Sequence, residues 1–351
     1  MNGPPVIPHS RPSLGEAEAQ AAADVIRTGL LAQGEKVTEF ERALARMAGQ
    51  DEGVAVSSGT AAVFLALKGL GIGPGDEVIF PSYVCTALWH AVSQAGATPV
   101  LVDIDPETYH PSPEAVSRAI TSKTKAVIVP HLFGLPADLS ELEKSGIPLI
   151  EDCAHTLGAS MGGRPVGSVG ALTVCSFYAT KLITTGEGGM VLGRSGPRMA
   201  RIHAMRQYDE RDALESAFNY KMTDMQAALG LCQVTDLPQF IKRRQAIAAQ
   251  YTAALHGLKA NPPAGIPRHD HVFYRYVVRL PQSVEPAMKA FAELGVTCRR
   301  PIFKPTHQYF DLKGFSGTDL AWERSLSIPI YPSLADHEVE RVVDAMRHVL
   351  V

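Results

Sequence analysis

The chain of 351 residues is 46% hydrophobic and 20% charged, with a net charge of −3, a balance suited to a globular protein with one large α/β domain and a smaller one. Near-neutral charge without a run of Lys and Arg leaves no electrostatic footprint for nucleic acid, so no nucleic-acid partner is expected. Five cysteines (Cys85, Cys153, Cys175, Cys232 and Cys298) form no CxxC pair and leave an odd count, which argues against a disulfide framework or a zinc site and fits a reducing cytosol.

The opening segment, MNGPPVIPHSRPS, has no apolar core of the signal-peptide kind, so a cytoplasmic protein is expected. VAVSS and then GTAAVFLALKGLG predict a short strand running into a helix that ends in glycines. Val78 to Val102 contains no Asp, Glu, Lys or Arg, a length that could cross a membrane. Pro81, Gly96 and Pro99 divide it, however, into strand, turn, short helix and buried strand, so no membrane partner is expected.

Helical PEAVSRAI, the strand KAVIVPHLFG, helical DLSELEKSG, the strand IPLIEDCAH and the strand ALTVCSFYATK follow. This alternation predicts an α/β domain with a mostly parallel central sheet and helices on both faces. Beyond Asp224 two longer helices are expected, in MQAALGLCQVTDLPQF and IKRRQAIAAQYTAALHGL. A Pro- and Gly-containing linker then leads to a smaller C-terminal α+β domain. The division is placed at 1–245 for the large domain and 246–351 for the small one.

In such a sheet, ligands gather at the carboxyl ends of the strands. Ser58, Gly59 and Thr60 follow VAV and open a helix, whose free N–H groups and dipole suit a phosphate; an ordinary Ser/Thr cap with a glycine turn has the same appearance. Tyr83 follows EVIFPS. Asp152 and His155 follow IPLIE, and Asp152 suits either a protonated pyridine nitrogen or a helix cap. Ser176 ends ALTVC, and Lys181 follows in SFYATKLITTGEGG. The apolar and small flanks of Lys181 favour a Schiff-base lysine over a solvated one.

Rival motifs fail. GLGIGPGD lacks the GxGxxG spacing and sits before a strand rather than after one. No GxxxxGK[ST], HExxH or GxSxG is present, and the twelve histidines show no metal-ligand spacing.

Seven ordered motifs, VSSGTAAVFLAL, GDEVIFPSYVCTA, GATPVLVDIDPETY, VIVPHLFGLPAD, IEDCAHTLGA, SFYATKLITTGEGGM and FNYKMTDMQAALG, resemble the DegT/DnrJ/EryC1/StrS sugar aminotransferases, which are pyridoxal 5'-phosphate (PLP) enzymes of fold type I, the aspartate aminotransferase-like class. The resemblance covers nearly the whole chain.

It implies that Lys181 forms the Schiff base and shuttles the proton, that Asp152 pairs with the pyridine nitrogen, and that His155 lies by the ring's phenolic oxygen. Tyr83 is expected to stack on the ring, with Trp89 as the fallback. Gly59, Thr60 and Ser176 would hold the phosphate, next to Ser58. Asn219 would reach the phosphate of a neighbouring subunit in a homodimer with shared active sites.

Lys221 stands where arginine is common in the family, and no role is given to it. The implied reaction moves an amino group, usually from L-glutamate, through a pyridoxamine phosphate intermediate to a keto group of a nucleotide-linked sugar. Glu187 and His307 are the expected substrate contacts, along with the loop around Gly29–Gly34. A non-nucleotide ketone such as a cyclitol, or a non-catalytic PLP-binding regulator, remains the alternative reading.

Overall fold

The computed structural model describes residues 5–209, 216–265 and 270–351. In chain order its elements are α1 (Glu16–Thr28), α2 (Glu35–Met47), β1 (Glu52–Val56), α3 (Gly59–Gly69), β2 (Glu77–Pro81), α4 (Ala87–Gln94), β3 (Thr98–Val102), α5 (Pro113–Ala119) and β4 (Thr124–Pro130). Next come α6 (Ser140–Glu143), β5 (Leu149–Asp152), the small hairpin β6 (Ser160–Met161) and β7 (Arg164–Pro165), β8 (Leu172–Ser176), β9 (Gly189–Gly193) and α7 (Pro197–Met205). The last elements are α8 (Asp224–Ala254), β10 (Tyr276–Arg279), α9 (Glu285–Glu293), α10 (Ser316–Arg324), β11 (Ser325–Ile328) and α11 (Asp336–Val349).

The main sheet runs β1-β9-β8-β5-β4-β2-β3. The pairs β2–β3, β2–β4, β4–β5 and β5–β8 are parallel, and only β9 is reversed, antiparallel to both β1 and β8. Its strands are apolar on both faces, as in the buried run Ala126–Val129, because helices cover both sides. Helix α3 is buried all along Ala61–Leu67, the pattern of a helix with no solvent face. Each fully buried Leu or Phe contributes roughly 1.5–3 kcal/mol, so α3 is fixed firmly and its first turn is a rigid platform.

Two expected helices prove to be one. Helix α8 runs unbroken for 31 residues with Pro238 inside it. Pro238 lies on the exposed face, where water can serve the carbonyl that loses its partner. A Thr223–Gln226 capping box starts the helix.

Helix α8 also crosses the expected boundary at 245. Leu237 and Ile241 pack into one core, whereas Ile247, Ala248 and Tyr251 pack into the core built with β10, β11 and α11. Ile7 belongs to that second core through a bridge to Val296, so the start of the chain packs with its C-terminal part. Among the described residues, no helix is long and apolar enough to cross a membrane.

Candidate active site

Strands β1 and β8 are held on either side of β9, which brings the first turn of α3 against the end of β8. Val56 and Ser176 both pair with Gly189. Ser58 caps α3 by accepting from the Ala61 N–H at 3.1 Å, while the Gly59 and Thr60 N–H groups have no acceptor among the described residues. Close packing makes this cradle. A Cβ on Gly59 would lie 2.8 Å from Ser176 Cβ, and one on Gly189 would lie 2.3 Å from the Ser58 carbonyl oxygen. The glycines are therefore required by contact, and the two free N–H groups at a helix N-terminus suit an anion.

One strand over, Asp152 ends β5, where it pairs with Pro130 and Val174. Its carboxylate accepts from the Ala154 N–H at 3.0 Å. Burial raises the Asp152 pKa, opposed by that N–H, by the Lys181 ammonium and by His131.

The preceding residue, Glu151, faces the other way and is fully buried. It accepts from His131 Nε2 at 3.1 Å and from the N–H groups of Gly167, Val169 and Gly170. Cys153 lies within 4.8 Å of this pair. Both carboxylate oxygens are already used by N–H donors, and His131 Nδ1 accepts from Ala137 N–H at 2.9 Å. This cluster is a satisfied hydrogen-bond network that anchors the strand carrying Asp152.

Lys181 stands in the turn after β8, with its Nζ 5.4 Å from the centre of the Tyr274 ring. His155 stacks on the other partner of this group, 4.2 Å from Tyr274 at an interplanar angle of 19°. The His155 Nδ1 accepts the Phe133 N–H at 3.4 Å, which leaves the proton on Nε2. Burial first, then Lys181 and Arg275, press the His155 pKa well below its ordinary value, so the ring is neutral at pH 7.

Tyr274 shows the opposite balance. Burial raises its phenol, but Arg275, Lys181, Thr180 and Arg244 outweigh this and bring it to about 8. Such a shifted group beside a lysine marks a site.

Not every expected contact lies here. Tyr83 is completely buried, stacked on Tyr109 and edge-on to Phe133, with its hydroxyl on the Ala321 carbonyl at 3.4 Å. In this structure its ring backs Phe133, which in turn lies against His155. Trp89 packs on Phe310 at 4.2 Å, away from this group. In the segment after β2, Cys85 is the exposed side chain.

His307 is buried as well. It is 2% exposed, with Nδ1 on Ser82 Oγ at 2.7 Å and Nε2 on Asp319 at 3.1 Å, a tie between the segment after β2 and α10. Its neighbours satisfy both ring nitrogens.

Glu187 and Asn219 are exposed, and Asn219 is flanked by backbone bonds that tie its segment to the α7 end and to Ser57. Lys221 pairs with Asp209 at 2.8 Å. The loop at 29–34 lines a groove of about 960 Å³ with α1 and α8, where Gly34 N–H donates to Asp224 at 2.8 Å.

Tyr274, Arg275, Phe133 and the Glu151–His131 pair are the parts of this group that sequence reasoning passed over. The one signal was Arg275, a charge set inside the aromatic run FYRYVV.

Lys181, Asp152 and His155 beside an anion cradle on this sheet fit a PLP-dependent aminotransferase, and likeness to known members shows the protein to be one. Its profile match extends from residue 12 to residue 347, and the chain belongs to the DegT/DnrJ/EryC1/StrS aminotransferase family.

Solved structures agree. Spr1654 of Streptococcus pneumoniae, assigned as a sugar aminotransferase and known in PLP and PMP forms, is 29% identical with a TM-score of 0.92. In the PLP form the match covers 98% of each chain. TlmJ, an aminotransferase from Streptoalloteichus hindustanus, is 31% identical at a TM-score of 0.92, covering 97% of this chain and 98% of its own. DesV of S. venezuelae is 33% identical at 0.88, over 94% and 93%.

Proposed function

We propose that the protein takes an amino group from an amino-acid donor, L-glutamate, and delivers it to a ketone of a nucleotide-linked sugar. The observation that carries this reading is the grouping of Lys181 with Asp152 and His155 beside the Gly59–Ser176 cradle. The family and its sugar aminotransferase members support the acceptor class.

Bound PLP supplies an electron sink for a carbanion at the amine-bearing carbon. The Gly59 and Thr60 N–H groups and the Thr60 and Ser176 hydroxyls would hold its phosphate, with Ser58 fixing the turn. Asp152 would keep the pyridine nitrogen protonated. The N–H donor at Asp152 and the Lys181 charge oppose the effect of burial and favour its ionised form. Neutral His155 would offer a hydrogen bond, not a charge, beside the ring oxygen. Lys181 Nζ would bond the cofactor and then carry a proton to and from the substrate carbon.

The exposed Asn219, on the segment next to β1, supports the shared active sites of a homodimer. Glu187, in the turn after Lys181, is the proposed substrate contact; its carbonyl is held by Thr185 and Gln226.

Screening a glutamate-loaded enzyme against keto sugar nucleotides and against inososes tests the acceptor. Amination of a keto sugar nucleotide is expected; turnover confined to inososes would replace that acceptor with a cyclitol. Sedimentation of an active monomer would contradict the Asn219 role.

A further inference from the structure

The segment that enters β10 packs onto the main sheet along a strained seam. Val272 and Arg275 donate their N–H groups to the Gly134 and Phe133 carbonyls at 2.9 and 3.1 Å. The approach is so close that a Cβ on Gly134 would lie 2.6 Å from the Tyr274 nitrogen. Phe133 (φ +60°) and Phe273 (φ +48°) both sit in the left-handed region, which bulky side chains rarely adopt and which persists only where the surroundings fix it. Those surroundings are present. Phe133 N–H meets His155 Nδ1 at 3.4 Å. Phe273 N–H meets His271 Nδ1 at 3.0 Å, and the Phe273 and His271 rings stack at 4.0 Å.

The residue this seam delivers is Tyr274. It is buried, its ring is stacked 4.2 Å from His155, and its ring centre lies 5.4 Å from Lys181 Nζ. A cation within about 6 Å of an aromatic ring centre is attracted to it. One side chain from the β10 segment thus contacts two groups that stand at the ends of different strands of the main sheet.

The charged groups that act on the phenol are all positive: Lys181 from the turn after β8, Arg244 from α8, and Arg275 beside it in the chain. Its remaining polar neighbours carry no charge. They are His155, the Thr180 hydroxyl that bonds the phenol, and, behind Arg275, the buried neutral His9. Asp152 acts on Lys181 rather than on the phenol. The cations outweigh burial and bring Tyr274 to about 8, whereas burial raises the phenols of Tyr83, Tyr109, Tyr251, Tyr276 and Tyr331. The interaction is mutual: a charged amine eases loss of the phenol's proton, and a phenolate equally favours the charged amine.

We propose that Tyr274 is the positioning residue for Lys181: its ring holds the amine beside His155, and its phenol and that amine gain and lose protons as one coupled pair. Bonding of a cofactor aldehyde needs the amine without its proton, so Tyr274 makes the readiness of Lys181 depend on pH around 8. The strain at Phe133 and Phe273 is spent on holding this ring in place. The assignment rests on Lys181 as the cofactor-bonding lysine and adds the group that governs its charge.

The first test needs no cofactor. With tyrosine labelled by 13C at Cζ, NMR follows the ionisation of each phenol as pH is raised, in wild type, Tyr274→Phe and Lys181→Met. Wild type is expected to show a tyrosine that ionises at about 8 and is absent from Tyr274→Phe. In Lys181→Met the same tyrosine should ionise about one pH unit higher, because the ammonium charge is gone. The second test follows the visible band of the PLP-loaded protein against pH. Its midpoint should fall by at least about half a pH unit in Tyr274→Phe, which lacks the phenolate that favours a proton on the residue 181 nitrogen. Tyr274→Leu, which removes the ring as well, should bind PLP at least about threefold more weakly than Tyr274→Phe. Circular dichroism checks that each variant is folded.

A tyrosine at about 8 that stays there in Lys181→Met would overturn the coupling, as would the same band profile in wild type and Tyr274→Phe. Equal PLP affinity in Tyr274→Phe and Tyr274→Leu would overturn the role of the ring. Wild type that forms no visible band would instead defeat the reading of Lys181 as the cofactor-bonding lysine, since the tyrosine titration is made without cofactor.

Discussion

Gly189→Ala tests the cradle most sharply, because the added methyl meets backbone and not a movable side chain. The new Cβ would lie 2.3 Å from the Ser58 carbonyl oxygen and 2.7 Å from the Gly59 nitrogen. Apolar contacts settle near 3.5–4.0 Å, so the Ser58–Gly59 peptide must retreat by roughly 1 Å. Gly189 cannot retreat instead, since it is paired to Val56 on one side and to Ser176 on the other.

Overpacking of this kind costs about 1–3 kcal/mol of stability. Loss of one well-aimed N–H bond to a charged phosphate costs about 1.5–3 kcal/mol, or a ten- to hundredfold rise in the PLP Kd. Spectrophotometric titration of apoprotein with PLP, beside a thermal melt, measures both. Gly73→Ala, whose Cβ would meet nothing closer than 3.9 Å, serves as the neutral control. A Gly189→Ala protein with the wild-type PLP Kd and Tm would refute the reasoning.

Two further outcomes follow from buried groups. His307→Ala should lower stability by about 1–3 kcal/mol, because Ser82 and Asp319 lose their partner. It should leave the KM for substrates nearly unchanged, and kinetics showing a selective KM increase at an unaltered Tm would restore a substrate role. Burial holds His110 and His271 at about 3 in the folded protein. Between pH 6.5 and 3 the unfolded chain binds protons that these rings do not, so stability is fully present above 6.5 and falls with pH by about 1.4 kcal/mol per unit per histidine. Urea midpoints at pH 7 and pH 5 that coincide would contradict this.

The parallel sheet was legible because its strands are uninterrupted apolar runs such as AVIVP, and α3 because Ala and Leu fill it. The reversed strand β9, GMVLG, passed unseen: two glycines in five residues look like a turn, and only contact with Ser58 at Gly189 and with Leu172 and Met199 at Gly193 explains them. The division expected between Phe240 and Ile241 does not occur, since α8 runs unbroken from Asp224 to Ala254.

Lys181 and Asp152 stood out as polar residues in apolar surroundings. The Ser58, Gly59, Thr60 and Ser176 cradle followed from their strand-end positions. The burial of Tyr83 and His307 was not legible, because sequence shows that a ring is near a strand end or in a loop, not which way it points. The FYRYVV segment lies far along the chain from Lys181, and only the packing of β10 beside the main domain brings Tyr274 and Arg275 to it.

The central claim is that Lys181 bonds PLP, and that the cofactor so held accepts the amino group of a donor. The most direct measurement is the absorbance spectrum of wild type and Lys181→Ala with PLP, before and after L-glutamate. The account predicts a visible band in wild type that glutamate converts to the pyridoxamine form. In folded Lys181→Ala the wild-type band and the turnover should both be absent. A wild-type protein that forms no band, or a Lys181→Ala protein that transaminates normally, would contradict it.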